Sequence, residues 1–156
     1  MNLWHFLLGI ILIALCITGY FTFFSPQAKV RSTISAAAKA FRELQPSLPD
    51  FLCENFNQFG YRKRDAEQDW EEYRKDFSQA KIWYRINRIS VKFHYAQAEV
   101  EVKAAVRYGG NYYMLVGEPF AYEKGQVFLV KMRSGRWCIN RLRLPSFQRW
   151  IEQRSK

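Results

Sequence analysis

Residues 3–24, LWHFLLGIILIALCITGYFTFF, carry no charged side chain apart from a histidine at position 5. As an α-helix this run would be about 33 Å long, which exceeds the roughly 30 Å hydrocarbon core of a bilayer. The run lacks the basic start and the small-residue cleavage site of a secretory signal peptide. We therefore predict an uncleaved, single-pass membrane anchor over residues 1–25, with residues 3–24 in contact with lipid.

The side of the cell membrane on which the rest of the chain lies stays open. Four cations in residues 29–42 follow the apolar run, whereas only the α-amino group precedes it. The positive-inside rule then favours a cytoplasmic domain, although long domains cross membranes largely regardless of charge. Cys53 and Cys138 could pair in an oxidising compartment or be two buried thiols, which is the simpler interpretation.

Residues 26–156 read as one α+β domain. Apolar residues recur at helical spacing over residues 26–44, 48–59 and 65–78, and a short helix follows Pro145. Strand-like alternation covers residues 89–95, 98–106, 112–122, 126–133 and 136–144. Helices followed by antiparallel strands predict helices packed on a curved antiparallel sheet of four or more strands.

The last predicted hairpin, QVFLVKMRSGRWCINRL, carries a resemblance to a known superfamily. Together with the order of the elements, it resembles the nuclear transport factor 2-like (cystatin-like α+β) superfamily. In that superfamily the final hairpin often has a polar turn, a glycine, a tryptophan and an alternating apolar strand, as residues 134–139 do. The resemblance implies a sheet curved into a cone around a helix, and we expect Trp137 to be buried between them. Such a fold hosts enzymes, ligand binders and assembly modules alike, so it does not give the function.

The anchor and the domain together are similar in layout to the bitopic core component of bacterial type IV secretion systems. That layout implies a non-enzymatic scaffold of an envelope assembly, with the domain in the periplasm. Its partners would be other membrane proteins or further copies of the same chain. The alternative is a small-ligand binder or an isomerase-like enzyme that uses the cavity of the cone.

An enzyme of this fold would need a general base inside the cone. The alternation of the predicted strands instead places His94, Glu99 and Glu101 on the solvent side. The clearest inward positions are all apolar, which favours a filled cone without catalytic residues: Ile89, Val91, Phe93, Val100, Val102 and Val106.

Ligand-binding candidates are few. Glu118, Tyr122 and Glu123 flank a predicted bend and could reach a cavity mouth. Aromatic residues could line an apolar pocket, although filling of the core explains them as well: Trp83, Tyr84, Tyr112, Tyr113, Tyr122 and Trp137. No histidine and cysteine spacing predicts a metal site, and no glycine pattern predicts a cofactor.

The C-terminal part of the chain is strongly basic. Residues 131–156 hold eight lysines and arginines against one acid, Glu152. Beside a membrane anchor, such a basic patch would most simply meet anionic lipid head groups. Nucleic acid is not favoured because no binding motif accompanies the charge, and a solubilising surface is the other alternative. The patch consists of Lys131, Arg133, Arg136, Arg141, Arg143, Arg149 and Arg154, with Lys156 beyond it.

Overall fold

The protein is described by a computed structural model that covers residues 25–154. Within this range no helix is long and apolar enough to cross a bilayer. The predicted anchor, residues 3–24, lies outside the described residues, so it stays a prediction.

The described part of the chain has the predicted α+β architecture, with helices packed on a five-stranded antiparallel sheet. The helices are α1 (Pro26–Arg42), a 3-10 turn (Leu48–Phe51), α2 (Lys63–Tyr73) and α3 (Pro145–Arg154). A small two-stranded ribbon consists of β1 (Asn57–Gln58) and β2 (Tyr61–Arg62). The main sheet consists of β3 (Phe77–Lys92), β4 (Tyr95–Tyr108), β5 (Asn111–Val116), β6 (Glu123–Lys131) and β7 (Trp137–Arg143).

The main sheet has the order β3-β4-β6-β7, and β5 pairs with the second half of β4 beside β6. Strand β3 begins at Phe77, twelve residues before the alternation that predicted it. The reversal into β4 is a two-residue turn, because Lys92 pairs directly with Tyr95. Phe93 therefore lies in the turn and is 84% exposed, so the prediction that it points into the cone was wrong.

Helix α1 begins where the sequence predicts. The Ala28 amide donates to the Ser25 hydroxyl at 3.1 Å, and Pro26 occupies the first turn, where its missing N–H costs nothing. Its apolar stripe, with Val30 and Ile34 buried, joins the main core on the concave side of the sheet. Trp137 is 5% exposed in this core, as predicted.

The predicted helix over residues 48–59 was largely wrong. Only the single 3-10 turn forms, after which the chain runs along the free edge of β7. The Cys53 amide donates to the Ile139 carbonyl at 2.9 Å. The Gln58 side chain then accepts from the Leu142 amide at 2.9 Å and donates to the Leu142 carbonyl at 2.6 Å. These bonds satisfy an exposed strand edge, which a second helix would leave unpaired.

Cys53 and Cys138 form a disulfide, with their Cα atoms 5.0 Å apart. The simpler interpretation as two free thiols was therefore wrong. The bridge fixes the segment after the 3-10 turn to β7. Beyond it, a second small core of Phe56, Tyr61 and Ile151 packs with Phe147 and Trp150, so that α3 covers the ribbon.

Candidate functional site

The concave side of the sheet carries a partly open apolar cavity of about 230 Å³ beside α1. This volume is below the roughly 300–1,000 Å³ of ordinary small-molecule sites. The cone is therefore not completely filled, in contrast to the expectation from the strand pattern. Its walls come from α1, the 3-10 turn and all five strands of the main sheet, and include Phe41, Ile82, Tyr84, Val102, Val116 and Ile139.

Among the residues that line this cavity, only Tyr84 carries a polar side-chain group. Its hydroxyl donates to the Ser35 hydroxyl at 3.0 Å, so it ties α1 to β3. No lining residue has a carboxylate, an imidazole or an amine. The cavity can bury an apolar group, but its described lining offers no general base for proton transfer.

The polar residues predicted on the solvent side are found there. His94 lies in the exposed β3–β4 turn, and Glu99 is exposed on β4 opposite Arg88. Glu99 and Glu101 line a separate groove of about 580 Å³ on the convex face of the sheet. Arg143 is also part of this groove, so its charges are mixed.

The three ligand-binding candidates lie apart from the apolar cavity, since none of them is among its lining residues. Glu123 accepts hydrogen bonds from the Ser146 amide at 3.0 Å and the Ser146 hydroxyl at 2.9 Å. It therefore caps the N-terminus of α3. Glu118 is exposed in the bend, and Tyr122 lies on the convex face under the guanidinium of Arg85, 5.2 Å from its ring centroid.

The predicted basic patch is exposed throughout but is spread over three places. Lys131, Arg133 and Arg136 lie at the β6–β7 turn, whereas Arg141 and Arg143 lie on β7. On α3, Arg149 is exposed, and Arg154 forms an ion pair with the buried Asp69. The hydrogen bond with Asp69 raises the pKa of the Arg154 guanidinium.

The sequence did not predict the most distinctive surface, which lies on the convex face of β3, β4 and β5. The Lys81 ammonium lies 4.7 Å from the Tyr112 ring centroid, and the Lys103 ammonium lies 4.9 Å from that of Trp83. We call this surface the aromatic–cationic face; it consists of Lys81, Trp83, Arg85, Lys103, Arg107, Tyr112 and Tyr122.

Aromatic residues of the chain thus divide between two environments. Tyr84 lines the cavity and Trp137 fills the core, as the two alternatives for the aromatics allowed. Trp83, Tyr112 and Tyr113 are exposed instead. The strand pairing explains this, because Trp83 is paired with Lys103 on the convex face. The signal in the sequence was the alternation of Lys81, Trp83 and Arg85, whose parity is opposite to that of Tyr84.

Comparison with known proteins identifies the fold. No family model matches the chain, and no curated protein matches it. Among solved structures, a candidate scytalone dehydratase from Novosphingobium aromaticivorans is 17% identical with a TM-score of 0.63, over 76% of this chain and 81% of that one. A ketosteroid isomerase-like protein from Erwinia carotovora atroseptica is 14% identical with a TM-score of 0.58, over 76% and 95% of the two chains. The domain therefore has the nuclear transport factor 2-like fold, as the sequence indicated.

Proposed function

We propose that this chain is a non-enzymatic protein-binding module, held at the membrane by residues 1–25, whose aromatic–cationic face docks an acidic protein partner. The observation that carries the proposal is the stacking of Lys81, Lys103 and Arg107 on the exposed rings of Trp83 and Tyr112, across three strands of the convex face. The solved neighbours include proteins named as a dehydratase and as isomerase-like. Among the described residues that line the cavity of this chain, none carries a group that could act as a general base.

The composition of the aromatic–cationic face is that of a binding surface. Tryptophan, tyrosine and arginine are enriched among the few residues that carry most of the binding energy of protein interfaces. Four cations lie on this face, and Glu101, the strand partner of Arg85, is the adjacent acid. A partner with negative charge would match this potential and associate faster, whereas a basic one would be repelled.

Within this proposal, the disulfide supports one side of the membrane for the domain. Disulfides persist in oxidising compartments and are rare where thiols are kept reduced. The Cys53–Cys138 bridge therefore supports placement of the domain on the extracytoplasmic side. This outweighs the positive-inside argument, because a long domain crosses largely regardless of flanking charge. The layout resemblance to the type IV secretion component agrees with it.

The test is affinity purification of the tagged full-length chain from its native membranes. The double variant Lys81→Glu and Lys103→Glu reverses two charges on the aromatic–cationic face and should lose its stoichiometric partner. The matched control, Arg64→Glu with Arg149→Glu, changes the net charge equally at exposed positions elsewhere and should retain it. Equal recovery of the partner by both variants would refute the docking surface.

A second candidate function rests on the apolar cavity of about 230 Å³. A short apolar ligand would fit there without polar recognition. Ala37 lines the cavity, so Ala37→Leu would occupy part of it. If the cavity serves only as imperfect packing, this variant should melt at a higher temperature and keep its partner. If the Ala37→Leu variant folds normally but no longer retains its partner, the result would favour the ligand-binding function.

A further inference from the structure

The direction of α1 relative to the sheet is fixed by two contacts. Near the C-terminal end of α1, the Phe41 ring stacks on Trp70 with centroids 5.9 Å apart, and the Trp70 indole donates to the Gln45 carbonyl at 2.7 Å. Trp70 lies on α2, which precedes β3 in the chain by only a short connection. Further along β3, the Tyr84 hydroxyl bonds Ser35 at 3.0 Å. Helix α1 therefore runs antiparallel to β3, and its N-terminus points toward the β3–β4 turn.

The β3–β4 turn extends further from the contact between Ser35 and Tyr84 than the N-terminus of α1 does. Ten residues of helix from Ser35 back to Ser25 span about 15 Å at roughly 1.5 Å per residue. Nine residues of strand from Tyr84 to Phe93 span about 30 Å at roughly 3.3 Å per residue. Measured from the contact between Ser35 and Tyr84 along one common axis, the turn thus extends at most about 15 Å beyond the start of α1. Measured along the membrane normal, this overhang is smaller when the domain is tilted, so the turn can lie at the level of the head groups.

A second turn lies beside the first. The Lys131 amide donates to the His94 carbonyl at 2.8 Å, which joins the β6–β7 turn to the β3–β4 turn. We call residues 92–95 and 131–136 the paired tips. They contain no aspartate or glutamate. Phe93 is 84% exposed and Tyr95 is 66% exposed, and the cations of the paired tips are Lys92, Lys131, Arg133 and Arg136.

Phe93 is poorly suited to its position if only the fold is considered. Its φ is 55°, a left-handed conformation in which glycine or asparagine is normally found in two-residue hairpins. Its ring also gains little burial within the domain. Phe93 is exposed and conformationally costly, and a second exposed aromatic, Tyr95, lies two residues away. Two exposed aromatic side chains on one tip point to a contact outside the described residues.

We infer that the paired tips rest on the surface of an anionic bilayer, with Phe93 and Tyr95 in the head-group region and the four cations against lipid phosphates. The inference rests on the proposed anchor: the uncharged run of residues 3–24 ends directly before Ser25, on the side toward which the paired tips project. Aromatic residues and cations without acids are the composition that membrane interfaces favour. The contact fixes the orientation of the domain and leaves the aromatic–cationic face free for its partner.

The test uses the full-length chain reconstituted in vesicles of phosphatidylcholine with a minority of phosphatidylglycerol. A photo-crosslinking phenylalanine analogue replaces Phe93 in one preparation and Tyr108 in the other. Tyr108 is a matched control, since it is an exposed aromatic at the opposite end of β4. We expect lipid adducts from position 93 and almost none from position 108.

Charge and lipid composition provide the second readout. Reversal of Lys131, Arg133 and Arg136 to glutamate should lower the adduct yield at position 93, by up to about fivefold per cation. Vesicles of phosphatidylcholine alone should lower it likewise. These losses would show that the contact is electrostatic as well as apolar.

The possible failures are distinguishable. If the chain floats with the vesicles but gives no lipid adduct at position 93, or equal adducts at positions 93 and 108, the membrane contact of the paired tips is refuted. The anchor is unaffected by this result. An adduct of position 93 with protein instead of lipid also refutes the membrane contact. A chain that does not float with the vesicles refutes the anchor, and the inference falls with it.

Discussion

Truncation of Trp137 to alanine probes the main core most severely. The side chain is 5% exposed and belongs to the core between α1 and the sheet. Removal of a large core aromatic costs about 3–5 kcal/mol, because apolar burial is lost and the cavity closes only partly. Domains of this size have total stabilities of roughly 5–15 kcal/mol. The variant should therefore melt roughly 10–20 °C lower, as measured by circular dichroism of the full-length chain in detergent.

The matched variant is Trp137→Phe. The indole Nε1 of Trp137 is buried and has no hydrogen-bond partner in the described part of the chain. Phenylalanine removes this unsatisfied donor, whose burial costs about 1–3 kcal/mol, and so offsets part of the lost contact area. We expect a net loss below about 1.5 kcal/mol. A loss below about 1 kcal/mol for the alanine variant, or equal losses for both, would refute the proposed burial.

Three further predictions concern single features of the fold. Gly125→Ala should destabilise the domain by about 1–3 kcal/mol in chemical denaturation, since a Cβ there would lie 2.5 Å from the Arg143 carbonyl oxygen; an unchanged midpoint would contradict the register of β6 and β7. Burial and then the hydrogen bond to Asp69 raise the pKa of Tyr61 above its ordinary value of 10.0. The unfolded chain then loses this proton first, so the stability falls as the pH rises above about 10, and Tyr61→Phe should flatten this alkaline slope in melting temperature against pH; an unchanged slope would exclude Tyr61 as its source. Cys53→Ala with Cys138→Ala should cost about 2–5 kcal/mol, because the disulfide links positions 85 residues apart, and wild type under reducing conditions should behave alike; a cost near zero would mean that the bridge does not constrain the unfolded chain.

The order of elements was predictable because most of them have one buried face. Helix α1 and strands β4, β6 and β7 show their periodicity in the sequence, and Gly135 marks the turn between β6 and β7. The β3–β4 turn was misplaced because Phe93 continues the apolar alternation of Val91. Phe93 is excluded from the core only because Lys92 pairs with Tyr95. The periodicity of a single strand does not show which residues pair across two strands.

The aromatic–cationic face could not be predicted from the sequence for a related reason. Lys103 reaches the Trp83 ring through the register of β3 against β4, and Lys81 of β3 reaches Tyr112 of β5 across the same sheet. Both contacts depend on the pairing of the whole sheet. The first half of β3 also has apolar residues of both parities, so its buried face is ambiguous from the sequence. The covering of the β7 edge was likewise missed, because it depends on the side chain of Gln58, which bonds the Leu142 backbone across 84 positions of sequence.

The central claim, that the domain acts by binding a protein and not a small molecule in its cone, is tested most directly by native mass spectrometry. The full-length chain would be extracted from its own membranes in mild detergent and compared with its Ala37→Leu variant. We predict that both chains carry the same acidic protein partner and that neither carries a small-molecule adduct. A stoichiometric apolar adduct on the wild-type chain that disappears in Ala37→Leu, with no protein partner on either, would contradict the account.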